Sequence, residues 1–365
     1  MIKVLVVDDS ALVRKLFSRV LAEDSTFSVQ VARNGLEALA QLDAFQPDVI
    51  TLDVQMPQMD GLRCLDRIMV QRPCPVVMVS AVTAEGAAAT LEALRLGAVD
   101  FVPKPAGAVS LRMQEFGPTL KEKVRTAAGA RLPATHRLRE RVQFKTGGAG
   151  ATRRAKPATE AVDDRATLAS GAGLVLVGTS TGGPPALEAL LVPLPSSFAW
   201  PILVAQHMPA AFTGPLAKRL AGLCALRVLE VTQPTPLEDG CVYIGRGDAD
   251  LVVSKRPSGH VAMTVPSKPD YPWHPSTDRL VRSAMQHFPA AQLIGVLMTG
   301  MGDDGAEALA ALHANGGATI AEAEETAVVW GMPGELVRAG GAAYVLPLPS
   351  IAQRLQRLVP RAACP

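Results

Sequence analysis

The sequence predicts an α/β protein made of two parallel-sheet units in series. Three observations carry this. Short, β-branched apolar runs recur, and several stop at an acid, a hydroxyl or a glycine turn. Stretches of helical periodicity separate them, as crossovers between parallel strands require. The alternation lapses once, through a Gly-, Ala- and Arg-rich stretch, and then resumes. At 365 residues and 48% hydrophobic content, there is apolar material for two cores.

The elements read off in order. Ile2 to Val7 is a strand buried on both faces that ends at Asp8 and Asp9. Ser10 caps an amphipathic helix over Ala11 to Ala22. Val29 to Ala32 is a second strand, and Asn34 with Glu37 has the spacing of a capping box. Val49 to Leu52 is a third strand, ending at Asp53, and Gly61 opens the next helix. Val76 to Val79 ends at Ser80, and Ala98 to Val102 ends near Lys104. Ligands sit beyond the carboxyl ends of such strands, where Asp8, Asp9, Asp53, Ser80 and Lys104 all fall.

From Lys121 to Thr167 the chain is basic and poor in large apolar residues, so residues 126–169 are expected to be a flexible linker. Apolar runs resume at Leu174 to Val177, Ile202 to Ala205, Leu293 to Leu297, Ala318 to Ala321 and Ala342 to Val345. A Pro-rich, irregular excursion is expected from Pro234 to Pro275. The units are therefore 1–125 and 170–362. A net charge of +2 gives no reason to expect a nucleic-acid partner. Five cysteines without a Cys-x-x-Cys suit a reducing cytoplasm. No apolar run reaches membrane length, so membrane insertion is not expected.

The first set of strand-end residues has a chemical logic. Mg²⁺ takes hard oxygen ligands, which two adjacent acids and a third on a neighbouring strand supply. A carboxylate beside such an ion can accept a phosphoryl group, with a lysine and a hydroxyl on the transferred oxygens. Aspartates at strand ends are also ordinary turn formers, but here acids, hydroxyl and lysine fall at the ends of four strands in order. Together with Asp53-x-x-Met56-Pro57-x-Met59-Asp60-Gly61, they closely resemble the receiver domain of two-component response regulators. The resemblance implies a flavodoxin-like (βα)5 fold with Asp53 as phosphoacceptor. Asp8, Asp9, Asp53 and the Gln55 carbonyl would be the Mg²⁺ ligands, and Ser80, Phe101 and Lys104 the phosphorylation switch.

In the second unit, Gly178-Thr179-Ser180-Thr181-Gly182-Gly183-Pro184 lies between a strand and a helix start. Ser180 is set where free amides and the positive helix end favour an oxyanion. A phosphate-binding loop would need Gly-Lys-Ser/Thr, which is absent. Gly178-x-Ser180-x-Gly182 also fits the nucleophile elbow of α/β-hydrolases, which would recruit Asp303 or Asp304 and then His313. Alternatively, Gln206-His207-Met208-Pro209 and Met301-Gly302-Asp303-Asp304-Gly305 each follow a strand, bringing Ser, His and Asp from three loops to one sheet edge.

These strings, with Pro275-Ser276-Thr277-Asp278 and Val328-Val329-Trp330-Gly331-Met332-Pro333, resemble the catalytic domain of the chemotaxis methylesterase family, CheB. The resemblance implies a Rossmann-like, doubly wound parallel-sheet esterase domain. It implies a cytoplasmic enzyme that hydrolyses glutamate γ-methyl esters on methylated chemoreceptors, with deamidation of receptor glutamines besides. A CheA-type histidine kinase would be the phosphodonor, and the esterase reaction itself would need no cofactor. Carried over by position, Ser180 is the nucleophile, His207 the base, Asp304 the orienting acid and the Met301 N–H an oxyanion donor. The resemblance leaves open a receptor array unrelated to motility. A non-enzymatic, DNA-binding output would need a basic helix-turn-helix, and no such pattern follows residue 170.

Overall fold

The computed structural model describes residues 1–104, 113–132 and 173–360. The first unit alternates strands and helices: β1 (Ile2–Val7), α1 (Ala11–Ala22), β2 (Phe27–Ala32), α2 (Gly35–Phe45), β3 (Val49–Asp53), α3 (Gly61–Gln71), β4 (Val76–Ser80), α4 (Ala84–Leu96), β5 (Asp100–Pro103) and α5 (Met113–Ala128). The sheet order is β2-β1-β3-β4-β5, and every pair is parallel. This is the flavodoxin-like order, with its switch point between β1 and β3. The expected caps form: Ser10 Oγ accepts from the Val13 N–H, and Asn34 Oδ1 from the Glu37 N–H at 2.9 Å. β5 starts two residues later than expected. Gly97 closes α4 in the left-handed region at φ +112°, and the Ala98 N–H still bonds the Ala93 carbonyl, so the turn consumes Ala98 and Val99.

The second unit carries β6 (Leu174–Thr179), α6 (Gly183–Leu191), β7 (Ile202–Gln206), α7 (Ala210–Ala221), β8 (Arg227–Val231), β9 (Thr235–Pro236), β10 (Cys241–Gly245), β11 (Ala249–Arg256), β12 (Gly259–Pro266), α8 (Thr277–Met285), β13 (Leu293–Leu297), α9 (Ala306–Ala314), β14 (Ala318–Glu322), α10 (Met332–Arg338), β15 (Tyr344–Leu346) and α11 (Leu348–Leu358). Seven strands form one parallel sheet in the order β15-β14-β13-β6-β7-β10-β8. Growth from β6 in both directions makes it doubly wound and puts the switch point at β6, flanked by β7 and β13.

The excursion expected to be irregular is more ordered than the sequence reading allowed. β10 lies inside it and is fully buried between β7 and β8, and β11 and β12 form an antiparallel hairpin beside the main sheet. Its prolines fall in the turns and at strand ends, where a missing N–H costs little. The helix that closes the first unit runs past residue 125 to Ala128, and Gly129–Leu132 continue from it. The rest of the expected linker, 133–169, lies outside the described residues. Among the described residues, no helix is long and apolar enough to cross a membrane.

Candidate functional site

The ladders on both sides of β6 bring three loops together. Thr179 pairs with Gln206, and the His207 N–H bonds the Thr179 carbonyl at 3.0 Å. On the other flank Leu297 pairs with Gly178, and the Ser180 N–H bonds the Thr299 carbonyl at 3.0 Å. Ser180 and His207 thus follow the paired residues of adjacent strands, about 5 Å apart, and Gly300 lies against Ser180 from the third. A Cβ on Gly300 would fall 2.9 Å from Ser180 Cβ. The turn after Ser180 needs its glycines: Gly182 has φ +77°, and a Cβ on Gly183 would sit 2.0 Å from Gln206 Oε1. That amide is a brace, its Nε2 donating to the carbonyls of Ser180 and His207 at 3.0 Å each.

His207 Nε2 donates to Asp304 Oδ2 at 2.8 Å, across 97 residues of chain. Asp304 is held by three further donors. The Thr277 N–H reaches Oδ2 at 2.6 Å, while the Ser276 hydroxyl and the Asp278 N–H reach Oδ1 at 2.9 and 3.2 Å. Burial would raise the Asp304 pKa, but the hydrogen bond and charge of His207 and the backbone donors outweigh it, and the carboxyl is held below its usual value. The other ring nitrogen of His207, Nδ1, is buried and has no hydrogen-bond partner among the described residues. The Met301 N–H likewise meets no acceptor among them. The Trp273 ring lies parallel to the imidazole with centroids 6.1 Å apart, and packs on Gly302 so closely that a Cβ there would come within 2.6 Å. Trp273, Tyr271, Arg282, Asp303 and Asp304 line a cavity of about 780 Å³. Asp303 itself is exposed.

His313 is not part of this cluster. It sits in the last turn of α9, whose first turn follows Asp304, so about 12 Å of helix separates the two. The α/β-hydrolase order Ser–Asp–His through His313 is not assembled.

In the first unit the strand-end acids and lysine lie together in one pocket. Carboxylate oxygens of Asp8, Asp9 and Asp53 lie within 4.8 Å of one another. Lys104 Nζ is 2.7 Å from Asp53 Oδ2 and 3.1 Å from Asp8 Oδ2. Burial, together with the charge of Asp8, raises the Asp53 pKa to about 6 despite Lys104. Burial also works against the Lys104 ammonium, but Asp53 and Asp8 overcome it and raise its pKa. Three clustered carboxylates, two of them sharing one lysine, are short of positive charge, which fits a divalent cation. The Gln55 N–H reaches Asp53 Oδ1 at 3.4 Å. The Ser80 hydroxyl donates to the Gly86 carbonyl at 3.1 Å, and Phe101 is turned inward.

Residues 175–355 match the CheB methylesterase family, and residues 4–114 match the response regulator receiver domain. The chain is 57% identical to a "Protein-glutamate methylesterase/protein-glutamine glutaminase 2" of Rhodopseudomonas palustris, over 96% of each chain. It is 50% identical to a "Protein-glutamate methylesterase/protein-glutamine glutaminase 3" of Rhodospirillum rubrum, over 99% of this chain and 97% of that one. The chain belongs to the CheB methylesterase family. A crystal structure of the Thermotoga maritima CheB methylesterase catalytic domain is 36% identical, with a TM-score of 0.50, covering 52% of this chain and all of that one.

Within this CheB-family chain the two units touch at the site itself. The Thr181 hydroxyl, next to Ser180, donates to Asp100 Oδ2 at 2.6 Å, and Lys123 Nζ holds Asp100 Oδ1 at 2.8 Å. The Thr126 hydroxyl of α5 bonds Met301 Sδ at 2.9 Å. Phe101 packs on Phe212 with centroids 4.4 Å apart, and Arg219 bridges Glu188 at 2.5 Å and Glu92 at 3.5 Å. Past α5, the Arg131 N–H bonds the Val328 carbonyl at 3.0 Å. Sequence reasoning missed Asp100, Thr181 and the Ser276–Thr277 clasp on Asp304. Only Ser276 carried a local signal, as an N-cap three residues before Arg279.

Proposed function

We propose that this protein hydrolyses glutamate γ-methyl esters on methylated chemoreceptors, and that its receiver restrains the reaction until Asp53 is phosphorylated. The observation that carries the catalytic half is the His207–Asp304 bond through Nε2, which leaves Nδ1 buried and without a partner among the described residues, on a residue whose backbone N–H bonds the Thr179 carbonyl just before Ser180. Nδ1 takes the Ser180 hydroxyl proton as Oγ bonds the ester carbonyl carbon. The Met301 N–H holds the oxyanion. On collapse the C–O bond to the alcohol breaks, the imidazolium returns its proton and methanol leaves. Water repeats the sequence on the acyl-enzyme and releases glutamate. Asp304 stays ionised, fixing the tautomer and offsetting the imidazolium charge. With a glutamine side chain the C–N bond would break instead, the amide nitrogen taking the imidazolium proton and leaving as ammonia, which is the deamidase reading.

The cavity beside the dyad is the substrate entrance in this reading. Asp100 reaches Thr181, next to the nucleophile, and Thr126 reaches Met301, the oxyanion donor, so the docked receiver crowds that edge of the site and restrains a receptor helix from seating on it. Asp8, Asp9, Asp53 and the Gln55 carbonyl would hold Mg²⁺, which supplies charge neutralisation for the incoming phosphoryl oxygens. Asp53 accepts the phosphoryl group from a CheA-type histidine kinase. Lys104 and Ser80 then turn to it, and Phe101 and Asp100 on the same strand lose their fit against the second unit. A cytoplasmic location follows from these partners.

Methanol release from methylated receptor membranes tests the reading. Ser180→Ala is expected to abolish turnover with an unchanged circular dichroism spectrum, and release at the wild-type rate would overturn the assignment. Starting the chain near residue 170 is expected to raise activity above that of the intact unphosphorylated protein. Lower activity would make the receiver an activator by contact.

A further inference from the structure

Glu322 ends β14 with a fully buried carboxylate that the mechanism above does not use. Oε2 accepts the Thr299 N–H at 2.8 Å and Oε1 the Thr326 hydroxyl at 3.0 Å. No cation pairs with it among the described residues. Burial pushes its pKa up, against both hydrogen bonds. A buried carboxylate held by two neutral donors is less favourable than an apolar residue of similar volume, so stability does not account for it.

What it holds does account for it. Every polar group of Thr299 is engaged, most of them with the nucleophile turn. The Thr299 carbonyl accepts the Ser180 N–H and the Thr179 hydroxyl, both at 3.0 Å. Its hydroxyl donates to the Thr181 carbonyl at 2.9 Å and accepts the Val329 N–H at 3.0 Å. Two residues on stands the Met301 N–H, which has no acceptor among the described residues. Thr299 thus joins the loop that carries the nucleophile to the loop that carries the oxyanion donor, and its own N–H has Glu322 as its acceptor.

We infer that Glu322 is a positioning residue: by accepting the Thr299 N–H it fixes the peptide that sets Ser180 against the Met301 amide. This rests on Ser180 being the nucleophile. The hold requires an acceptor at this distance and does not require the negative charge. A displacement of about 1 Å at such a site lowers the chemical step without weakening substrate binding.

The test uses the intact chain with Glu322→Gln, Glu322→Asp and Glu322→Leu. Three quantities are read: labelling of Ser180 by a fluorophosphonate probe, kcat and KM for methanol release, and the melting temperature. Glu322→Gln keeps an acceptor at the same reach and should stay within about threefold of wild type. Glu322→Leu removes the acceptor and Glu322→Asp withdraws it by one methylene. Both should lose about tenfold or more in kcat and in labelling rate, with KM unchanged. Wild-type rates in the Asp and Leu variants overturn the inference. So does a Gln variant as impaired as the Leu one, or a loss of kcat that tracks the unfolded fraction. Labelling of the wild type that disappears in Ser180→Ala establishes the nucleophile separately, so a failure of the positioning role stays distinct. Absence of labelling in the wild type overturns both.

Discussion

Asp53 and Asp304 are both buried carboxylates at the carboxyl edge of a parallel sheet, Asp53 as the last residue of β3 and Asp304 in the loop between β13 and α9, yet their surroundings push them in opposite directions. Asp304 accepts four hydrogen bonds, and its pKa is held down. Asp53 shares one lysine with Asp8, accepts one long amide contact, and is raised to about 6. The saturated carboxylate can only orient and compensate charge. The under-satisfied one has lone pairs to give to a cation and an electrophile. The residue type is the same and both lie at a sheet's carboxyl edge; the number of donors around the oxygens separates them, which is how environments separate acid–base assignments elsewhere.

The strongest way to break this contrast is to remove the charge from each acid in turn. Asp304→Asn replaces an acceptor of four donors with a group that must present one amide to them, and it disfavours the tautomer with a proton on Nε2. A drop of about 10³ to 10⁴ in kcat is expected, at little change in KM. A loss below tenfold would show that His207 needs no orienting carboxylate. Asp53→Asn should remove all stimulation by a small phosphodonor with Mg²⁺. Stimulation that persists in that variant would place the phosphoacceptor elsewhere.

Asp53→Asn also has a consequence for stability, with a sign set by its pKa. The folded carboxyl protonates near 6 and the unfolded one near 3.8, so the folded chain binds this proton more tightly. Stability contributed by the proton is present at low pH and lost as pH rises from about 4 through 6. At pH 7 without Mg²⁺, Asp53→Asn should therefore be more stable than wild type by roughly 1–3 kcal/mol in denaturant melts. The gap should close as pH falls toward 4, and Mg²⁺ should raise the wild-type melting temperature more than that of the variant. A variant less stable than wild type at pH 7 would mean that the Lys104 pair outweighs burial.

These two sites were not equally legible. The receiver pocket is built from residues at the ends of successive strands within about a hundred positions, so alternating apolar runs were enough to align Asp8, Asp53, Ser80 and Lys104. In the second unit the acids and the histidine also sat at strand ends, but which strands adjoin β6 is a matter of topology. Periodicity could not separate His207 from His313; the placement of β7 and β13 beside β6 does. The prolines between Pro234 and Pro275 hid β10, because a short apolar run inside a turn-rich stretch has no period of its own. Asp100 and Thr181 were out of reach, since a contact between units leaves no local pattern in either.

That last pair offers a smaller test. Asp100 is buried and braced by Lys123 and by the Phe101 N–H at 2.7 Å, so its bond to Thr181 holds little mobile side chain and is not heavily screened. Asp100→Ala removes the acceptor at the centre of the contact between units. Basal methanol release by the unphosphorylated chain should rise about three- to tenfold, a hydrogen bond to a charged group contributing about 1.5 kcal/mol, and the phosphodonor effect should shrink in proportion. An unchanged basal rate would assign the restraint to Phe101, Phe212 and the Arg219 bridge.

The smallest effect is expected where the chain leaves α5. Arg131 lies 2.8 Å from Glu324 Oε1 and also reaches the Glu324 carbonyl at 2.6 Å, but both side chains are largely exposed. Such a pair gives up side-chain freedom and is weakened by salt, so Arg131→Ala should cost between 0 and about 1 kcal/mol. Its backbone bond to Val328 survives the substitution. Differential scanning calorimetry at low and high salt would read both points: a small loss at low salt that vanishes when the charges are screened. A loss of several kcal/mol that salt does not diminish would make Gly129–Leu132 a structural clasp between the units.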